Sequence, residues 1–416
     1  MLPEGWKRVP LGECARFQSG GTPSKERGDY WGGDFPWVTA KDMKTLCLTG
    51  SELRLTKSGK EVAAIAPALS VLVLTRGMTL LKDLPVGLVM QEASFNQDVK
   101  ALIAKDGIDP WFLAYQLLAN KSEILDLVDT AGHGTGRLDT ELLKAFEIPV
   151  APPKEQQAAA RIIRAWDAAI TITEKLLANS RRQKQVLMQQ LLTGKRRLQQ
   201  FVIANERLTT RFGSIPADWR HVSIEQVAQE FSAKNTADRQ LPVLSCTKYG
   251  GLVDSLSYFN KQVFSQDVST YKLVERGCFA YATNHIDEGS IGYQNIYDEA
   301  LISPMYTVFK PGNDIDHGFL FKLLKTEHYR QIFAANTNAS VDRRGSLRWG
   351  DFKKIEIPLP SMAEQAAISG VIDSAQLEIE SIEKQLDRLK DEKRALMQQL
   401  LTGKRRVHLP IGKVSA

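Results

Sequence analysis

Apolar residues return along two stretches of this chain at alternating steps of four and three. In the later stretch they fall at Ile368, Ile372, Ala375, Ile379, Ile382, Leu386, Leu389, Leu396 and Leu400, with Lys393 filling the one polar place in the row. That spacing is a heptad seam, the stripe that one helix of a coiled coil offers to another. The earlier stretch keeps the rhythm at Ala159, Ile163, Trp166, Ile170, Thr173, Leu177, Ser180, Lys184, Leu187 and Leu191. It is the more polar seam, with Thr173 and Ser180 where the other has Ile382 and Leu389. Each stretch predicts a helix of roughly 40 residues, a rod of about 60 Å. Pro152-Pro153 opens the first, and Ser361 with Glu364 has the spacing of a capping box at the second. Both should stop at a Thr-Gly pair, Thr193-Gly194 and Thr402-Gly403, where glycine suits the left-handed position after a helix.

The two stretches are copies. MQQLLTGKRR occupies 188–197 and again 397–406, an offset of 209 positions. The register holds upstream without a gap: Ile148-Pro149 matches Ile357-Pro358, and Glu155-Gln156 matches Glu364-Gln365. Such a repeat sets the architecture before any local reading. Outside it the pattern shortens to strand-like runs. Strands are expected near 71–74, 87–90 and 99–104, then a helix over 110–127. Further on, strands are expected near 242–245, 278–282 and 305–309, then a helix over about 318–334. Both variable segments open on Pro-x-x-Trp, at Pro3 and Trp6 and at Pro216 and Trp219.

The expected fold is therefore α+β. Mixed α/β domains at 1–150 and 199–360 are each followed by a long helix, 151–198 and 361–406, with a tail at 407–416. If both copies occupy equivalent surroundings, the second helix returns antiparallel to the first and brings Ala416 near Met1. The result would be a closed object with a pseudo-twofold axis, and duplex DNA has a matching dyad.

Composition narrows the class. A chain of 416 residues, 43% hydrophobic and 25% charged, has room for two or three globular cores. A net charge of +6 admits an anionic partner such as nucleic acid without requiring one. Cys14, Cys47, Cys246 and Cys278 form no CxxC pair, and with six scattered histidines they give no zinc spacing. Reduced thiols in the cytoplasm are the simpler reading. Residues 1–10 carry no signal-peptide core, and the apolar run at 62–74 is broken by Pro67, so no membrane attachment is expected. No GxxxxGK[ST], GxSxG, HExxH or dinucleotide fingerprint occurs. The acids of 351–356 suggest a nuclease cluster, but the repeat-related stretch at 142–147 keeps only Glu147 in register and has Leu142 in place of Asp351. No catalytic, cofactor-binding or metal-binding residue is assigned.

Candidate chemistry gathers instead in the loops of the two variable segments. In the first these residues are Thr22, Ser24, Lys25, Arg27, Tyr30, Trp31, Lys41, Arg76, His133, Thr135 and Arg137. In the second they are Lys234, Asn235, Thr247, Lys248, Tyr249, Asn284, His285, Asn338, Ser340, Arg343 and Arg344. Arginine and lysine can address guanine edges, asparagine can pair with adenine, and hydroxyls bind phosphates or bases. Any one of them is equally a solvated turn residue; the weight lies in two unlike loop sets on two like scaffolds. Lys195-Arg196-Arg197 and Lys404-Arg405-Arg406 follow the helix ends, where they suit either a phosphate or the helix dipole.

Over essentially its whole length the chain resembles the specificity (S) subunit of type I restriction-modification systems, the HsdS family. The resemblance is carried by the paired Pro-x-x-Trp openings and by the passage GGTPS…WGGDFPWVTAKD. The two Ile-Pro-x-x-x-x-x-Glu-Gln helix entries and the duplicated LLTGKRR ends complete it. It implies two target recognition domains, each reading one half of a split target in double-stranded DNA. It implies antiparallel helices that space them and dock two modification (M) subunits, with restriction or motor (R) subunits joined through those. S-adenosylmethionine, ATP and Mg would then belong to the partners, which methylate adenine N6, translocate DNA and cut it. This chain would be non-catalytic and hold no cofactor. Individual base contacts do not carry over, because recognition loops differ freely between members. Two rivals remain. A methyltransferase or nuclease in its own right would act without partners. A protein-interaction scaffold would show no sequence-dependent DNA affinity even with them.

Overall fold

The computed structural model describes residues 2–130, 134–203, 206–210, 213–235, 239–337 and 345–407. It divides into two compact units, Met1–Glu174 with Lys384–Ala416, and Lys175–Glu383. Both boundaries fall inside a long helix, at positions related by the 209-residue offset. Each unit thus holds one globular part, the start of one long helix and the end of the other.

In the first unit the globular part is closed by its own ends, Lys7–Pro10 pairing antiparallel with Glu147–Val150. Between them lies a five-stranded sheet in the order Ala15–Ser19, Val99–Ala104, Val71–Leu74, Val86–Val89 and Cys47–Leu48. Val71–Leu74 is buried at every position, and a strand covered on both faces reads as an unbroken apolar run. A second sheet runs Leu53–Leu55, Trp31–Val38, Ala93–Phe95, Ile65–Ala66, its middle two strands parallel. A third joins Val128–Thr130, Gly136–Leu138 and Arg76–Gly77. The helix expected over 110–127 is two helices, Pro110–Ala119 and Lys121–Leu125. Asp109 caps the first by accepting from Phe112 N at 2.9 Å. Asn120 interrupts it: its side-chain amide donates to Gln116 O at 2.7 Å, competing with the helical pattern.

The second unit repeats this plan with other side chains. Arg220–Ser223 pairs with Glu356–Leu359. One sheet runs Ala228–Glu230, Tyr306–Pro311, Phe279–Ala282, Ile291–Tyr293. The other runs Gly251–Asp254, Val243–Thr247, Glu299–Ile302, Lys272–Glu275 with its middle pair parallel. Order and direction match the first unit's two larger sheets, one of which adds Cys47–Leu48 at its edge. Among the described residues the third sheet belongs to the first unit alone, and a hairpin of Arg207–Thr210 with Gly213–Pro216 to the second. The filling differs. The first core is mostly aliphatic, whereas the second stacks Phe279 on Phe309 at 5.1 Å and Tyr281 on Phe352 at 4.6 Å. The helix expected over 318–334 is again split, into His317–Leu324 and Glu327–Asn336, because Thr326 caps the second.

The long helices are Pro153–Leu191 and Met362–Leu401, and every position of the two seams is buried or half-buried. In the first unit Lys393 reaches Asp167 at 2.5 Å and Lys390 reaches Glu174 at 2.8 Å. In the second, Arg181 pairs with Glu383 at 2.5 Å and Lys184 donates to Gln376 at 2.6 Å. Rising positions on one helix meet falling positions on the other, so the helix segments run antiparallel within each unit.

Each helix end is a joint. Gly194 and Gly403 have φ of +64° and +74°, the left-handed stop their Thr-Gly pairs predict. A Cβ at Gly194 would lie 2.5 Å from Pro216, and one at Gly403 2.7 Å from Pro3. The Pro-x-x-Trp openings therefore sit on the helix ends. At the same joints Trp219 Nε1 donates to Glu364 at 3.0 Å and Trp6 Nε1 to Glu155 at 3.2 Å. Arg197 pairs with Glu364 at 2.7 Å and with Asp218 at 2.8 Å, and Arg406 pairs with Glu155. Two expectations are corrected here. Arg197 and Arg406, the last residue of each KRR run, serve these carboxylates rather than phosphate or the helix dipole. Only half of the capping box forms: Ser361 Oγ accepts from Glu364 N at 3.3 Å, while the Glu364 carboxylate turns to Trp219 and Arg197. The neighbouring glutamines are equally committed. Gln156 accepts from Asp109 N and Gln365 from Asp316 N, both at 2.8 Å, which fixes each short helix to a long one. Ala416 and Met1 lie outside the described residues; Gly403 against Pro3 and Trp6 is the contact recorded near the two ends.

Candidate nucleic-acid interface

In the first unit the glycine-rich loop is pressed against the turn at 96–98. Gly20 permits this, since a Cβ there would lie 2.2 Å from Asn96 O. Thr22 Oγ1 donates to Gln97 at 2.5 Å. Two tryptophans hold the loop from behind, Trp31 Nε1 donating to Ser24 O at 3.1 Å and Trp37 Nε1 to Gly21 O at 3.0 Å. Their rings meet edge to face at 5.0 Å. Ser24 and Lys25 are left exposed on this braced loop. Arg27 stacks over the Tyr30 ring at 4.7 Å and pairs with Asp29, whose carboxyl its hydrogen bond holds below the ordinary value. On its other side the 96–98 turn carries the arginine edge: Asp98 O accepts from Thr75 N at 2.7 Å and Arg76 N at 3.2 Å. Arg76 and Arg137 are direct cross-strand partners, and Asp129 faces Arg137 from the third strand. Like charges directly opposite repel, and Asp139 offsets part of this by pairing with Arg137 at 3.9 Å; both arginines are exposed. Thr135 precedes Arg137, half-buried. Lys41 is exposed on a separate turn, braced by Asp42 on Thr39 and Glu52, and is not part of this network.

In the second unit two turns come together. One carries Thr247, Lys248 and Tyr249, the last 88% exposed. The other follows Asn284 and His285, whose ring lies 3.4 Å from Glu288. Between them stands Lys325, whose Nζ donates to Lys248 O at 2.9 Å and Gly289 O at 2.7 Å. Lys234 is exposed on a different loop, bridged to Lys272. Its neighbour Asn235 is a correction: it is 1% exposed, and its amide both donates to Arg239 O and accepts from Arg239 N. That side chain builds its own loop and presents nothing outward. His133, Asn338, Ser340, Arg343 and Arg344 lie outside the described residues.

Sequence reasoning missed Asn96, Gln97 and Lys325. The run Phe95-Asn96-Gln97-Asp98 between two strands was a turn signal of usable strength. Lys325 gave none, since a lysine near a helix end is ordinary. No helix among the described residues is long and apolar enough to cross a membrane.

Comparison with known proteins agrees with this duplicated plan. Residues 3–179 and 216–391 each match the type I restriction modification DNA specificity domain. The type I restriction enzyme EcoR124I/EcoR124II specificity subunit of Escherichia coli is 33% identical over 175 residues, 41% of this chain and 43% of the relative. That match therefore spans less than half of the relative's length. The type I restriction enzyme MjaVIII specificity subunit of Methanocaldococcus jannaschii is 24% identical over 98% of this chain and 94% of its own. The crystal structure of the type I restriction-modification S subunit from M. genitalium shares the fold. Its TM-score is 0.55 at 15% identity, covering 95% of this chain and 96% of the other. Matched in both of its halves, the chain belongs to the type I restriction-modification DNA specificity family.

Proposed function

We propose that this chain is the non-catalytic, sequence-reading subunit of a type I restriction-modification complex. Its recognition domains, residues 1–150 and 199–360, each read one half of a bipartite target in double-stranded DNA. The observation that carries this reading is the contrast within the fold. The two larger sheets keep one strand order and the joints are built from the same residue types in both units, while the exposed loops share no side-chain plan. One scaffold with two loop sets is what reading two unlike half-sites requires. In the first domain the Arg76–Arg137 edge and the braced Thr22–Lys25 loop contact DNA. In the second the Thr247–Tyr249 and Asn284–His285 turns do so. The shared helices set the unread spacer and dock two modification subunits, through which restriction subunits join. S-adenosylmethionine, ATP and Mg act in those partners, in the cytoplasm where genomic DNA is met.

The test is to map methylated adenines in a host carrying this chain and its modification partner. Two short defined sequences at a fixed separation are expected. With Arg137→Ala, preference at one half-site should fall by about 1–3 kcal/mol per lost base contact while the other half-site is untouched. A single undivided target, or equal loss at both halves, would overturn the reading.

A further inference from the structure

We propose that Lys325 is a positioning residue of the second recognition domain, its ammonium clamping the turn of Lys248 to the turn of His285 and so fixing the spacing of the groups that read one half-site. The proposal rests on the function above and names what sets its geometry in one domain. An ammonium has three donors and no acceptor. Here they meet three carbonyls, those of Gly289 at 2.7 Å, Lys248 at 2.9 Å and, more weakly, Thr247 at 3.4 Å. The side chain is half-buried and passes over the Phe321 ring at 5.8 Å, where an unpaired ammonium would be costly. Its base is rigid, because it stands where the His317–Leu324 helix ends on buried Leu323 and Leu324.

Gly289 supplies the other side of the clamp. Its φ of +93° is open to glycine and strained for other residues, and it turns its carbonyl toward the lysine. Arg330 holds the same turn from behind, Nη1 donating to Asp287 O at 3.0 Å. The first domain meets the same need differently: the Trp31 and Trp37 indoles grip the carbonyls of Ser24 and Gly21. Aligned on the helix caps Asp109 and Asp316, the place of Lys325 is taken by Leu118. The clamp therefore belongs to one domain, and its loss should be felt at one half-site.

Lys325→Met keeps the stem and removes the donors. With modification subunits present, base preference at the half-site not affected by Arg137→Ala should fall at least about tenfold, roughly one weakened base contact. The other half-site should keep its preference, which a general loss of stability would not allow. Should K325M fail to fold, Gly289→Ala displaces the other end of the clamp with Lys325 in place, and the same half-site should relax. Unchanged preference in whichever of these variants folds overturns the clamp alone. A wild-type chain with no two-part preference overturns the proposed function, and the clamp with it.

Discussion

Replacing Glu364 with alanine should cost about 3–4 kcal/mol of stability, and replacing Glu155 about half as much. The two carboxylates hold the same place in the repeat, and what differs is what each leaves behind. The side chains of Glu364 and Arg197 are 2% and 7% exposed. Removing one member of a buried pair costs about 3–5 kcal/mol, because the other charge stays desolvated. Asp218, bound by both terminal nitrogens of Arg197 at 2.8 and 2.9 Å, offsets part of this. The orphaned Trp219 indole adds about 1 kcal/mol. Without Glu155 the Trp6 indole is likewise orphaned, at about 1–2 kcal/mol. Arg406, however, is 47% exposed and turns into water. Urea unfolding followed by far-ultraviolet circular dichroism gives both values, and hydrogen exchange near 155 and 364 assigns each loss to its joint. Equal losses, or a larger one for Glu155→Ala, would refute the view that arginine burial sets the strength of the joint.

Three further outcomes follow from the same geometry. Gly194→Ala and Gly403→Ala should each destabilise by about 1–3 kcal/mol from backbone strain, with the proline clash in addition. Gly370→Ala, with nothing within 4 Å of the new methyl in mid-helix, should instead stabilise by about 1 kcal/mol; a uniform sign would be wrong for this account. The Arg406 hydrogen bond, helped by Trp6, holds the Glu155 carboxyl below its ordinary 4.5 despite burial. A depressed carboxylate stabilises fully above that value and loses its contribution as pH falls through the folded one, so wild type should lose more stability in acid than Glu155→Gln. Coincident acid profiles would contradict it. Adding four residues to both long helices lengthens each by roughly 6 Å and turns it by about 400°, leaving the seam nearly aligned. At about 3.4 Å per base pair, methylation mapping should show a spacer longer by one or two base pairs, whereas two added residues should abolish assembly. An unchanged spacer would mean the helices do not measure it.

The long helices were legible because a heptad period reports which face is buried, whatever that face packs on. Strands such as Val71–Leu74 and Val99–Ala104 were legible for a different reason, as short apolar runs that burial leaves almost without polar positions. The breaks at Asn120 and at Lys325-Thr326 were not, since the apolar rhythm runs on through both and only a local cap ends the helix. The repeat drew the eye to Glu155 and Glu364 without disclosing their work. The partners Trp6 and Arg406 lie 149 and 251 positions from Glu155, and local pattern cannot place them. Asn235 illustrates the opposite error: a polar loop residue gives no sign that its amide is folded inward. Lys325 was invisible because its acceptors are backbone carbonyls, which every residue owns.

The residues that repeat most faithfully are thus those of the joints, and there is a physical reason for it. At one joint the chain runs on from Gly194 to Pro216. At the other, Gly403 meets Pro3 from the far end of the sequence with no covalent link between them. The same glycine, proline, tryptophan, glutamate and arginine make both, so the contacts suffice without the connection. The recognition loops carry no such duty and are free to differ. The joints are nevertheless unequal. Asp218 completes the shell around Arg197, but Gly5 stands in its place before Trp6, and Arg406 is left half in water. The joint between the two ends of the chain is therefore the more exposed one.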